Sequence, residues 1–190
     1  MSELSILIQT RRTVEAFDSR PVSPETIIEL LETAVWAPNH RLTEPWRFII
    51  LTGDTIPRYA SIRREMAIAT ATNAPTLEAK MLAGESAYRK FSAIPLYLAV
   101  AMTPNANVEI YNEDYAACAA LIQNFLLLAW DRGIGTAWKT FKNTLPMRAL
   151  LGLADAEIVV GIIHIGYPAP ETYVTRRTPA RGKVTMIGGG

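Results

Sequence analysis

Soft metal ligands are scarce in this chain. One cysteine, Cys118, and two histidines, His40 and His164, are all it carries in 190 residues. That is too few for a zinc site, and no internal disulfide is possible. The lack of disulfides fits a reducing compartment, so a cytoplasmic location is the expectation. A charge of one sign is also missing. Nineteen Lys and Arg face eighteen Asp and Glu, for a net charge of +1. Nucleic-acid binding needs a basic excess that is not there, and no Lys/Arg block marks a membrane surface. The longest apolar run, Ala116 to Trp130, is interrupted by Gln123 and Asn124 and is too short and too polar to span a bilayer. The first residues, Met-Ser-Glu-Leu-Ser-Ile-Leu-Ile, have no basic region ahead of the apolar ones and do not read as a signal peptide. Ser-His-Asp and Cys-His arrangements, a Walker loop and G-x-G-x-x-G are all absent. Internal repeats and low-complexity linkers are absent too, so residues 1–190 read as one domain.

Apolar residues, in contrast, are plentiful at 49%, with only 19% charged. A core this large points towards a subunit interface. Leu4, Leu7 and Ile8 put a helical stripe on Glu3–Thr10. Ser23-Pro24-Glu25 is a helix start, with Ile27, Ile28, Leu31, Ala34 and Val35 on one face and Ala37 to His40 as its end. Arg47 to Thr52 reads as a buried strand. Residues 56–72 and 77–90 are weakly patterned helices, separated at Thr72 to Pro75. Ile94 to Met102 is a second strand. The acids Glu113 and Asp114, with Asn112, open a long helix to about Asp131, where they serve its positive dipole end. Between Tyr115 and Trp130 that helix is apolar nearly all round, so either a second subunit or the rest of the monomer must cover every side. Gly133 to Gly135 stops it. Thr136 to Thr140 is extended, a short helix follows Thr144 to about Leu151, and Ala156 to Ile165 is a third long strand. Helices and strands alternate, which predicts an α/β or α+β domain. Cys118 reads as a small packed hydrophobe, His164 as a hydrogen-bonded core histidine, Trp46 as a packing anchor, and Trp36 and Trp130 as core.

The remaining polarity lies at loop positions. Arg11-Arg12-Thr13 offers two guanidinium forks and a hydroxyl, which suits a phosphate. The same arginines could equally stabilise a helix C-terminus. Asn39 to Trp46 is a polar loop ending in a rigid aromatic. Gly133 to Thr140 is a Gly-led segment whose backbone could approach a flat ligand closely. Arg176-Arg177 precedes Pro179. Two basic sites and two aromatic loops without acid/base machinery suggest a protein that orients a cofactor, which then carries the chemistry.

These segments, in this order, resemble the nitroreductase family of FMN-dependent oxidoreductases. The resemblance rests on Arg11-Arg12-Thr13, on Ala37-Pro38-Asn39-His40 with Pro45-Trp46, and on Ile94-Pro95. It continues through Asp114 to Leu126, Gly133 to Trp138, Gly166-Tyr167-Pro168 and Arg177-Thr178-Pro179, and so covers nearly the whole chain. The histidine in the Pro-Trp loop is similar to that of the small bacterial members. The resemblance implies an α+β fold on a central, mainly antiparallel sheet flanked by helices, assembled as an intertwined homodimer with FMN sites at the interface. It also implies ping-pong transfer of hydride from NADH or NADPH through flavin N5 to a nitroaromatic, a quinone or a similar small-molecule acceptor.

Carried over residue by residue, the resemblance places Arg11 and Thr13 at the FMN phosphate and ribityl chain, with Arg12 beside them. His40 is a flavin contact supplied by the partner subunit. The backbone of Trp138, Lys139 and Thr140 approaches the N5 edge, and Arg177 reaches the phosphate. Glu44 departs from the pattern, because an amide usually precedes Pro-Trp. A carboxylate only accepts hydrogen bonds unless protonated. Glu44 therefore either pairs with Arg41, Arg47 or an arginine of the flavin site, or faces away. A different redox reaction on the same fold, such as dehalogenation or dehydrogenation, a flavin protein with little turnover, and a flavin-free interaction module are the competing readings. Residues 60–92 are the expected contributors to substrate choice.

Overall fold

Runs rich in Ile, Val, Leu and Ala pair into one four-stranded antiparallel sheet in the computed structural model, which describes residues 1–170 and 176–188. The strands are β1 (Trp46–Leu51), β2 (Leu96–Met102), β3 (Gly135–Lys139) and β4 (Ile158–Gly166), in the order β1-β2-β4-β3. Every residue of β2 is buried. A strand covered on both faces carries an unbroken apolar run, not an alternating one. Leu96, Leu98, Val100 and Met102 face one helical layer, while Tyr97 and Ala99 face the other. The register slips between Val100 and Ala101, leaving Val160 as an extra residue on β4. β1 is an edge strand in which only Leu51 is buried, so the expected buried strand at 47–52 is half-covered.

Among the described residues six α-helices surround the sheet: α1 (Glu3–Thr10), α2 (Pro24–Ala34), α3 (Thr55–Thr70), α4 (Leu77–Ser92), α5 (Val108–Asp131) and α6 (Leu145–Leu151). Helix α2 starts as its sequence predicts, with Ser23 Oγ accepting from the N–H groups of Glu25 and Thr26. It packs with α5 on one face of the sheet, while Tyr59 and Ala60 of α3, Phe91 of α4 and Met147 and Leu151 of α6 cover the other. The result is an α+β fold with a helix-flanked antiparallel sheet.

Helix α5 departs from expectation at its start and around its girth. It begins at Val108, capped by the Asn107 side chain, which accepts from the N–H groups of Glu109 and Ile110. Glu113 and Asp114 thus lie in its second turn and do not serve the dipole end. Buried positions run Asp114, Ala117, Cys118, Leu121, Ile122, Phe125, Leu126 and Ala129, a single stripe at helical spacing. Along the opposite face Tyr115, Ala116 and Gln123 are exposed, so the chain by itself does not cover α5 on every side. Helix α1 buries no residue, and Leu4 and Ile8 remain exposed.

The aromatic residues divide. Trp46 packs half-buried against the core. Trp36 is not core: it is 86% exposed at the end of α2. Trp130 is half-buried and donates from Nε1 to Thr10 Oγ1. His164 is buried edge-on to Tyr97 and Phe91, and burial followed by the Lys139 charge lowers its pKa to about 4. Cys118 is fully buried, and burial with the nearby Asp114 charge pushes its thiol up to about 12, so it is an unreactive packed side chain.

Candidate functional site

The chain leaving α1 builds the first half of the site. Arg11 closes the helix, its N–H donating to Leu7 O at 3.0 Å, and then turns extended. The next residues run alongside β3. Thr13 bridges Thr136, and Val14 N donates to Thr136 O at 3.0 Å. Gly135 permits this approach, since a Cβ there would meet the Val14 side chain at 2.8 Å. Arg11 is thereby held near Arg12 and Arg177. Partial burial first, then the Arg12 and Arg177 charges, pull its pKa below the ordinary arginine value. The positive charges acting on Arg11 make its surroundings favourable to an anion. Arg12 spends part of its fork on the backbone, donating to Arg11 O at 2.8 Å.

β3 leads away from this basic end. It is an edge strand, and beyond the Thr13–Thr136 bridge no further strand pairs with its outer side among the described residues. Alternate backbone N–H groups there are left for a ligand. At its far end the Trp138 indole lies across β4, where a Cβ on Gly161 would fall 1.9 Å from Nε1. Trp138, Thr140, Phe141, Tyr115 and Val159 line a recess of about 290 Å³. The Lys139 side chain pairs with Glu15, and the same contact holds the Glu15 carboxyl below its usual range. Lys139 can therefore serve a ligand through its backbone, not its ammonium. From Thr136 to Thr140 the chain spans roughly 13 Å at about 3.3 Å per residue, which is the distance along β3 from its Thr13 end to its aromatic end. The Thr136 Oγ1 hydroxyl, next to Thr13, is buried without a hydrogen-bond partner.

His40 and Glu44 are placed elsewhere, in a groove of about 1000 Å³ between the end of α2 and α5. Trp36, Pro38 and His40 form one wall, and Ala116, Ala117 and Ala120 of α5 form a smooth floor. The loop is clamped to α5. His40 Nδ1 lies 2.8 Å from Glu113 Oε2, and Thr43 Oγ1 donates to the buried Asp114 at 2.7 Å. Arg41, Leu42 and Glu44 all have positive φ, at 59°, 51° and 44°. Each such non-glycine residue costs about 1–3 kcal/mol, a strain the clamp must hold. Glu44 is exposed along this groove, and its backbone N–H donates to Asn39 Oδ1 at 3.1 Å. It is not paired with Arg47, which makes a two-pronged contact to Glu157 at 2.6 and 2.7 Å.

The structure thus brings the Arg11–Thr13 segment alongside the strand that leads to Trp138, Lys139 and Thr140, with Arg177 near enough for its charge to act on Arg11, and sets His40 and Glu44 in a separate groove. The reading of motifs missed the carboxylates that position the loop, Glu113 and Asp114, because no local pattern links residues more than 70 positions apart. It also missed Tyr115, whose exposure on α5 is visible only once the buried stripe is known.

The family model of the nitroreductase family matches residues 8–167. Among the curated relatives is "Putative NAD(P)H nitroreductase YfhC" of Bacillus subtilis (strain 168), 36% identical over 188 residues, or 98% of this chain and 95% of that one. Among solved structures, a nitroreductase-like family protein from Bacillus cereus superposes with a TM-score of 0.81 at 32% identity, covering 100% of this chain and 98% of that one. A nitroreductase with bound FMN from Bacteroides fragilis NCTC 9343 has the same fold, with a TM-score of 0.73 at 22% identity, covering 99% and 100%. The chain belongs to the nitroreductase family, a family of oxidoreductases.

Proposed function

We propose that this protein is an FMN-dependent NAD(P)H oxidoreductase acting on an electron-poor acceptor such as a nitroaromatic or a quinone. The observation that carries the proposal is the approach of the Thr13–Val14 segment to β3, which brings Arg11 and Arg12 to the head of an edge strand, where guanidinium donors suit a phosphate. Arg11 and Arg177 hold the phosphate and Thr13 the ribityl chain. The buried Thr136 hydroxyl adjoins them without a partner, as a cradle for a polyol requires. The backbone of Trp138, Lys139 and Thr140 serves the N5 edge from the open side of β3. Held there, FMN would supply a two-electron hydride carrier between NAD(P)H and the acceptor, as a ping-pong sequence requires, while the chain's own residues bind and orient it. B. subtilis YfhC is named for NAD(P)H and the B. fragilis structure for FMN, which supports this reading.

The working unit is a homodimer in the cytoplasm, each subunit a single domain. The half-bare face of α5 and the exposed Trp36 form an apolar surface of the kind subunit contacts remove from water. His40 and Glu44, remote from the phosphate end of their own chain, reach the flavin of the second subunit. Glu44 there accepts hydrogen bonds where an amide would also donate.

Anaerobic titration tests the proposal. The purified protein is yellow, bleaches with NADH or NADPH, and recolours with nitrofurazone or menadione. Failure of both nucleotides to bleach bound flavin refutes it and favours a different redox reaction on the same fold. A colourless protein that takes up no FMN refutes the flavin site itself.

A further inference from the structure

An acceptor that receives a hydride must also receive a proton. For a quinone, one hydride and one proton complete the hydroquinone with no charge left over. A reduced flavin supplies the hydride, and something in the site must supply the proton. We infer that His40 is that donor and that Glu113 is its positioning residue. The inference rests on the reading above, in which the 37–46 loop of one subunit faces the flavin of the other.

The geometry assigns the roles. His40 Nδ1 meets the Glu113 carboxylate at 2.8 Å, across 73 residues of sequence. A carboxylate cannot donate, so Nδ1 carries the proton and the ring is held in one tautomer and one orientation. Nε2 is left as the working nitrogen, and among the described residues it has no hydrogen-bond partner. With both nitrogens protonated, Nε2 passes its proton to the acceptor oxygen. The ring that remains is the neutral Nδ1–H form that Glu113 already holds, so nothing has to reorganise. Solvent in the open groove returns the proton. The ring is 45% covered, enough to be aimed and open enough to be recharged.

Two further observations support a built device. The loop that presents His40 holds three left-handed non-glycine residues in four positions, pinned by Thr43 to Asp114 and by Glu44 N–H to Asn39. A relaxed surface loop has no reason to keep that strain. The charged groups of the groove come from the elements around it: Glu113 of α5, in contact with the ring, Glu32 of α2 and Glu44 of the loop line it with His40, and Arg41 is the neighbouring loop residue. The other histidine cannot substitute, because His164 is buried and its pKa is lowered to about 4.

The test separates the two half-reactions by anaerobic stopped flow and adds a measurement that needs no turnover. Imidazole nitrogen NMR of the apoprotein reads the His40 tautomer directly, since His40→Gln assigns its signals among only two histidines. The expected result is that the neutral form of the ring is the Nδ1–H tautomer, with a mixed tautomer in Glu113→Ala. In the holoprotein, reoxidation by menadione slows as pH rises. His40→Gln removes that dependence and slows reoxidation by about 100-fold, with a smaller loss in bleaching by nucleotide. Glu113→Ala slows reoxidation by about tenfold. Equal losses in both half-reactions, an unchanged pH profile in His40→Gln, or release of FMN by that variant would each overturn the proton role. Wild-type protein that does not bleach defeats the flavin reading and this inference together. Wild-type protein that bleaches but reoxidises without pH dependence defeats the inference alone.

Discussion

Gly161 is the sharpest point at which packing and the candidate site meet. A methyl group there would lie 1.9 Å from Trp138 Nε1 and 2.5 Å from Cδ1. Optimal contact lies near 3.5 Å, so one partner must give by roughly 1.6 Å. The strand resists, because Gly161 is paired with Val100 of β2 and its neighbour Ile162 is paired on both sides, with Ala99 and Lys139. The indole can give, because Trp138 is already 38% exposed at the end of an edge strand. Swinging it outward returns about 60–80 Å² of apolar surface to water, about 1.5–2 kcal/mol. Replacing a strand glycine by alanine recovers about 0.5–1 kcal/mol of backbone entropy. Gly161→Ala should therefore cost about 0.5–1.5 kcal/mol, lowering Tm by about 1–6 °C in a domain of this size. It should also red-shift tryptophan emission and weaken FMN retention, since the backbone beside the ring moves with it. A double-mutant cycle isolates the cause: in a Trp138→Ala background the methyl has nothing to meet, so the second substitution should be neutral or slightly stabilising. Thermal unfolding of the four proteins decides. Equal losses from Gly161→Ala in both backgrounds would refute the placement of Trp138 across Gly161.

Three other outcomes are expected. Arg11→Ala removes the central guanidinium of the basic cluster and should release FMN into an ultrafiltrate, and full retention would refute its assignment to the phosphate. Glu157→Gln replaces the carboxylate that accepts both prongs of Arg47 and the Ala154 N–H, and should cost about 1–3 kcal/mol in denaturant unfolding. Hydrogen bonding to Arg47 depresses the Glu157 pKa, so its contribution is present above the unfolded carboxyl value and fades as pH falls below it. A wild-type midpoint in that variant would show the pair to be idle. His164, whose pKa is lowered to about 4 from 6.5, is neutral when folded and protonates more readily when unfolded. The stability it permits is full above about pH 6.5 and declines by up to about 3 kcal/mol as pH falls towards 4. His164→Phe should flatten that limb of the stability–pH curve, and an unchanged limb would show that other groups produce it.

Local signals in the chain were dependable where the interactions are local. Ser23 caps α2 because an N-cap bond spans two or three residues. The apolar run of β2 announced a strand buried on both faces, and the weak pattern of α3 and α4 still reads as two helices because Thr72 to Pro75 separates them. The start of α5 was misread for an instructive reason. Asn107 and the acids near 113 are equally good helix-opening signals, and nothing nearby ranks them. The buried Asp114 and the His40 partner Glu113 were needed inside the helix for a loop 70 residues away. Trp36 misleads similarly, because a large apolar side chain at a helix end has the same composition whether it packs inward or faces a second subunit.

The order of motifs identified the family from sequence alone, since each motif is a short stretch whose chemistry, an arginine pair or a glycine-led segment, is visible in the letters. The tertiary structure decided which of them meet. Pairing of Thr13 with Thr136 brings Arg11 and Arg12 to β3, where the charge of Arg177, more than 160 residues away in sequence, acts on Arg11. The clamp of the 40–44 loop onto α5 turns a lone histidine into an oriented one. Those contacts join positions far apart in sequence. Their energies depend on distances of a few ångströms that only the closed fold defines.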